Sequence, residues 1–129
     1  MRLFPVALAL VAVSASMGVV TSAKADDSIA ANICAEVQAN NTMRLRDQLK
    51  EHRLKLRNIY TDIACNGESL LRFAYHSNAN DTGEYVAKRL LTGQLQAAES
   101  DGKTIAQWAD ANGFSGSPIT AAIKDRLGN

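Results

Sequence analysis

The chain has 129 residues, which suits one domain. Its 14 Lys plus Arg against 13 Asp plus Glu give a net charge of +1, which excludes a globally basic nucleic-acid binder and a polyacidic tail protein. A hydrophobic fraction of 47% excludes a disordered chain, and two cysteines are too few for a disulfide-dense miniprotein or a cysteine-based zinc site.

Residues 1–25 read as a secretory signal peptide. Arg2 is followed by an uncharged run from Leu3 to Val20, and Ala23-Lys24-Ala25 forms a small-residue cleavage site before Asp26 and Asp27. The alternative is an uncleaved anchor, but the run is short and diluted by alanine, serine and glycine. Cleavage leaves residues 26–129, removes Arg2 and Lys24, and turns the net charge from +1 to −1. The expected location is the periplasm, with no transmembrane segment after processing.

A first helix is predicted to begin after Asp27 or Ser28 and to end near Asn40-Asn41, and a second to run from a Thr42 cap to about His52. Export places Cys34 and Cys65 in an oxidising compartment. Their spacing fits neither CxxC redox chemistry nor a zinc knuckle, so a structural disulfide is expected. Closing that loop contributes about 3–4 kcal/mol in the chain-entropy model.

Between His52 and Tyr60 the helical period fails. Arg53, Lys55 and Arg57 alternate with Leu54 and Leu56. This suggests an extended segment with one cationic and one apolar face, or else a continued helix with basic chains snorkelling around the leucines.

Gly67 then permits a tight turn and Ser69 caps a helix whose Leu70, Phe73 and Ala74 share one face. Asn78 to Thr82 breaks it, and Val86, Arg89 and Leu90 mark the next helix. The same order returns as Gly102, Thr104, then Ile105, Trp108 and Ala109, a break at Asn112 to Gly116, and Ile123, Arg126 and Leu127. Ser117-Pro118 restarts that last helix and Gly128 ends it. A weaker first copy sets Ala31, Cys34 and Ala35 at the places of Leu70, Phe73 and Ala74, with Leu45 and Leu49 following. The expected fold is all-α: three antiparallel helical hairpins at about 27–52, 67–92 and 102–127, forming one helical repeat domain over 26–129. Phe73 and Trp108 are expected in its core, and Tyr60, Tyr75 and Tyr85 at the surface.

The stretch Asp101 to Gly113, DGKTIAQWADANG, resembles the ankyrin repeat at Asp101, Gly102, Thr104, Ala109 and Gly113. It departs from that pattern at Ile105, Ala106, Gln107 and Asp110. The middle copy keeps Gly67, Ser69, Leu71 and Ala74. The resemblance implies a short stacked array, and the alternative is another small helical array. The run from Ile33 to Tyr60, followed by Cys65 to Ala74, also resembles a family of small exported bacterial proteins of unknown function. That likeness implies a periplasmic setting and carries over no catalytic residue.

Charge is uneven. Residues 42–65 hold Arg44, Arg46, Lys50, Arg53, Lys55 and Arg57 against Asp47, Glu51 and Asp62, whereas residues 26–41 hold Asp26, Asp27 and Glu36 and no cation. These six cations form either a solvated face or a patch for an anionic partner, since arginine grips carboxylate or phosphate through paired hydrogen bonds. No metal, cofactor or catalytic set is expected: His52 and His76 are not spaced as a metal pair, no GxSxG elbow or phosphate-cradling loop occurs, and Ser69 reads as a cap. The sequence therefore points to a non-enzymatic periplasmic interaction module that binds a protein partner through Arg44–Arg57 and the inter-hairpin loops. The alternative is a binder of anionic envelope lipid or polysaccharide, and a third reading is a small enzyme of unrecognised type. Nucleic acid is not expected as a partner.

Overall fold

The computed structural model describes residues 27–128, and the signal peptide expected at residues 1–25 lies outside them. Among the described residues the fold is all-α, with eight α-helices, one 3-10 turn and no strand beyond a single bridge between Cys65 and Glu68. In chain order the elements are α1 (Asp27–Gln38), α2 (Thr42–Glu51), α3 (Leu56–Ile59), the 3-10 turn Tyr60–Asp62, α4 (Leu70–His76), α5 (Asn80–Arg89), α6 (Thr92–Gln96), α7 (Ile105–Ala111) and α8 (Pro118–Leu127). The α3 turn, the 3-10 turn and α6 fill stretches where the helical period gives no signal. None of the eight helices exceeds 12 residues, so packing and caps hold them more than propensity does.

The caps explain where helices begin. Ser69 Oγ accepts the Arg72 N–H at 3.4 Å, and Ser117 Oγ accepts the Ile119 N–H at 3.1 Å ahead of Pro118. Thr104 and Gln107 form a reciprocal capping box, with N–H donations of 3.2 and 2.9 Å. For α2 the cap is Asn41, one residue earlier than the expected Thr42: its Oδ1 accepts the Arg44 N–H at 3.1 Å. Thr42 is instead the first helical residue.

Helix ends share one geometry. Asn40, Asn78 and Gly113 follow α1, α4 and α7 in the left-handed conformation, with φ of 56°, 54° and 83°. The next N–H returns to the carbonyl five residues back: Asn41 to Glu36, Ala79 to Ala74 and Phe114 to Ala109, at 3.0, 2.9 and 2.8 Å. Arg53 does the same after α2, with φ of 54° and Leu54 N–H bonded to Leu49 O at 2.8 Å.

One continuous core runs through the chain. Leu70, Phe73 and Ala74 of α4 and Ile105, Trp108 and Ala109 of α7 are all buried, as their spacing implies. In α1 the inward face is Ile33 and Val37, both fully buried, while Ala31 and Ala35 are exposed. The expected stripe through Ala31, Cys34 and Ala35 is therefore out of register. Aligning Asn40 with Asn78 places Ile33 opposite Leu71 and Val37 opposite Tyr75, and the larger branched side chains take the core. Tyr60 and Tyr75 are buried too, contrary to the surface placement expected from their polar tips. Tyr75 OH lies 2.6 Å from Thr120 Oγ1, which donates to Phe114 O at 2.7 Å, so the buried hydroxyls satisfy one another. Burial pushes the Tyr75 phenol up to about 12.

Each of α1 with α2, α4 with α5, and α7 with α8 packs together, and α5 makes its most extensive contact with α8. Gly83 lets them approach: a Cβ there would stand 2.3 Å from Ile119 Cδ1. A disulfide joins Cys34 to Cys65 with 5.7 Å between their Cα atoms, tying α1 to the stretch after the 3-10 turn.

Candidate functional site

The left-handed turn at Arg53 decides the site. It stops α2, and Lys55 then takes an extended conformation (φ −117°, ψ 132°) before α3 begins at Leu56. The chain doubles back and lays α3 against α5. Only residues 54–55 lie outside helix and turn, so the expected strand-like segment over 52–60 is a short link followed by a helical turn. Its two-faced character survives: Leu56 and Ile59 are buried and Leu54 half-buried, while Arg53, Lys55 and Arg57 are exposed.

This fold-back makes a groove of about 400 Å³. Arg46 and Lys50 enter from α2, one turn apart, and Lys55 and Arg57 from the link and α3. Leu49, Leu54 and Leu56 form the apolar floor. From α5 come Tyr85 and Arg89, also one turn apart, and the Arg89 guanidinium sits 4.4 Å from the Tyr85 ring centroid. Among the described residues no carboxylate lines the groove. None of its five cations joins an ion pair among the described residues. A groove walled by like charges concentrates a positive field, because apolar walls focus it.

Four of the six predicted cations thus converge: Arg46, Lys50, Lys55 and Arg57. Two do not. Arg44 Nε pairs with Glu36 Oε2 at 3.1 Å, and Arg53 serves the turn. Arg89 lies far along the chain from the basic run. The Tyr85–Arg89 spacing, one helical turn, was its signal in the sequence.

A second cavity, about 460 Å³, lies between the turn at Cys65–Glu68 and the stretch Ala97–Ser100. Four of its polar side chains, Tyr60, Ser69, Arg72 and Glu99, are already engaged with one another. Glu99 Oε1 accepts from Ser69 Oγ at 2.9 Å, and Glu99 Oε2 accepts from Tyr60 OH at 3.3 Å. Arg72 grips Asp101 through both terminal nitrogens, at 3.0 and 2.8 Å. Its Nε stands 2.8 Å from Glu99 Oε1, outside hydrogen-bond geometry, so that contact is a close ion pair. Burial and the nearby Glu99 charge raise the Tyr60 phenol, and the Arg72 hydrogen bonds hold the Asp101 carboxyl down at about 2. Ser69 is a cap and a donor to Glu99.

His52 is exposed. His76 Nδ1 lies 2.7 Å from Glu68 Oε2, with its ring edge-on to Trp108. Among the described residues no cluster of three His, Cys, Asp or Glu is placed to hold a metal ion, and no helix is long and apolar enough to cross a membrane.

Fold and groove define a small all-helical, disulfide-linked protein that displays unpaired cations around an apolar floor. The chain belongs to the family described as Protein of unknown function (DUF3718), which it matches over residues 33–101, more than half its length. No curated protein and no solved structure matches it. The matched stretch contains both cysteines and every cation of the groove.

Proposed function

We propose that this protein is an exported, periplasmic, non-enzymatic interaction module that captures an acidic protein partner in its basic groove. One observation carries the reading: Arg46, Lys50, Lys55, Arg57 and Arg89 line a single groove with no carboxylate among its described lining residues. Charge of one sign held without internal compensation steers and selects partners of the opposite sign. The leader-like residues 1–25 and the Cys34–Cys65 disulfide support export to an oxidising compartment. The repeated left-handed ends at Asn40, Asn78 and Gly113 support an ankyrin-like array of three helical hairpins within one domain, residues 26–129. Such stacks bind through surfaces and need no catalytic groups.

The test is affinity capture from periplasmic extract, comparing the wild type with Arg46→Glu/Arg57→Glu/Arg89→Glu. Wild type is expected to recover one dominant, salt-sensitive partner and the triple variant to lose it. Equal recovery by both proteins overturns the reading. Arg53→Glu, a single charge reversal outside the groove, is expected to keep the partner and shows that position in the groove matters.

A further inference from the structure

We infer that the groove's occupant is an acidic peptide segment carrying a leucine-sized apolar side chain between its carboxylates. This rests on the reading of the groove as the interaction surface and commits it to one chemistry.

Three observations point to that occupant. The first is charge: five cations converge with no acid among them, which asks for several negative groups at once. The second is Arg89. Laid over Tyr85 at 4.4 Å, its guanidinium is held before anything binds, so little freedom is lost when its N–H edge meets a carboxylate. The third is the apolar surface, which lies among the cations. Leu54 and Tyr85 are half-buried in the groove, whereas the most exposed large apolar side chains, Met43 and Leu91, do not line it. An occupant that touches this surface must enter between the charges. A bare phosphate has nothing to place there, and a membrane surface would be met by protruding side chains. The volume, about 400 Å³, falls in the range of about 300–1,000 Å³ typical of formed ligand sites.

The experiment is fluorescence anisotropy of the oxidised protein with two labelled ten-residue peptides. One alternates Glu or Asp with Leu; its twin has Ser at each Leu. The Leu peptide is expected to bind at least about tenfold more tightly, the effect of burying one leucine-sized side chain. Leu54→Ser is expected to erase that difference and leave the Ser peptide unchanged. Arg89→Lys keeps the charge but loses the planar fork, and is expected to weaken both peptides about five- to tenfold. Circular dichroism of each variant checks that the helices persist. Equal affinity for the two peptides overturns the amphipathic occupant, and so does stronger competition by inorganic phosphate or by phosphatidylglycerol vesicles than by unlabelled Leu peptide. If neither peptide binds while the triple variant still loses its captured partner, this inference fails and the interaction reading stands. If neither peptide binds and capture is unaffected by the triple variant, both fail.

Discussion

The side-chain oxygen of Asn40 accepts the backbone N–H of Thr82 at 3.0 Å. Asn40 ends α1 in the left-handed conformation, and the same residue caps α5, whose own preceding residue, Ala79, supplies no side-chain cap. Thr82 Oγ1 reaches back to Val37 O at 3.2 Å. One asparagine therefore couples the end of one helix to the start of another.

Two effects should separate at this position. Asn40→Gly keeps the backbone conformation and loses the cap, costing about 1 kcal/mol. Asn40→Ala loses the cap and adds the left-handed penalty of a Cβ, costing about 2–3 kcal/mol in all. Urea midpoints at constant slope measure both. Equal losses would show that conformation at Asn40 is irrelevant.

Arg53 spends its conformation on the turn. A left-handed Arg costs about 1–2 kcal/mol, of which a glycine's extra unfolded freedom returns about 0.5–1. Arg53→Gly is expected to stabilise the protein by about 0.5–1 kcal/mol and to leave partner capture intact. A fall in melting temperature, or lost capture, would assign Arg53 a direct role that its position in the structure does not give it.

Gly83 is the contact point of α5 and α8. An added Cβ would meet Ile119 Cδ1 at 2.3 Å and Cγ1 at 2.6 Å, and Ile119 is itself buried. Gly83→Val forces repacking and is expected to cost about 1–3 kcal/mol. A combined Gly83→Val/Ile119→Ala variant should recover part of that loss, a non-additivity that a double-mutant cycle detects.

The Arg72–Asp101 pair predicts an acid-side dependence. Arg72 lowers the Asp101 carboxyl from its ordinary 3.8 to about 2. A carboxyl depressed in the folded state binds fewer protons folded than unfolded. Its stabilisation is present above pH 4 and lost as pH falls from about 4 towards 2. Asp101→Asn should flatten the stability–pH curve within that window and nowhere else. The pair is exposed on the Asp101 side, so the effect should shrink in high salt.

Legibility differed from feature to feature for physical reasons. Ser69, Thr104 and Ser117 were readable as caps because a cap acts on its own neighbours, within three residues. The α1 register is not legible locally because that copy has no Gly-x-Ser/Thr start: Ala31, Cys34 and Ala35 keep the spacing of a core stripe while Ile33 and Val37 fill the core. The burial of Tyr60 and Tyr75 is not legible locally because their hydroxyl partners, Glu99 and Thr120, lie 39 and 45 residues away. Asn41 and Thr42 both suit a cap, and only geometry chose between them.

By itself the sequence determined the all-helical character, the turn and cap chemistry, the cysteine pair and the basic run, because these depend on residue type and short spacing. The tertiary structure decided which cations act together. It sent Arg44 to Glu36 and Arg53 to a turn, and it brought Arg89 on Tyr85 into the groove that Arg57 lines. Local pattern specifies an element's faces. Which faces meet is set by burying the whole core at once, and that is where the groove comes from.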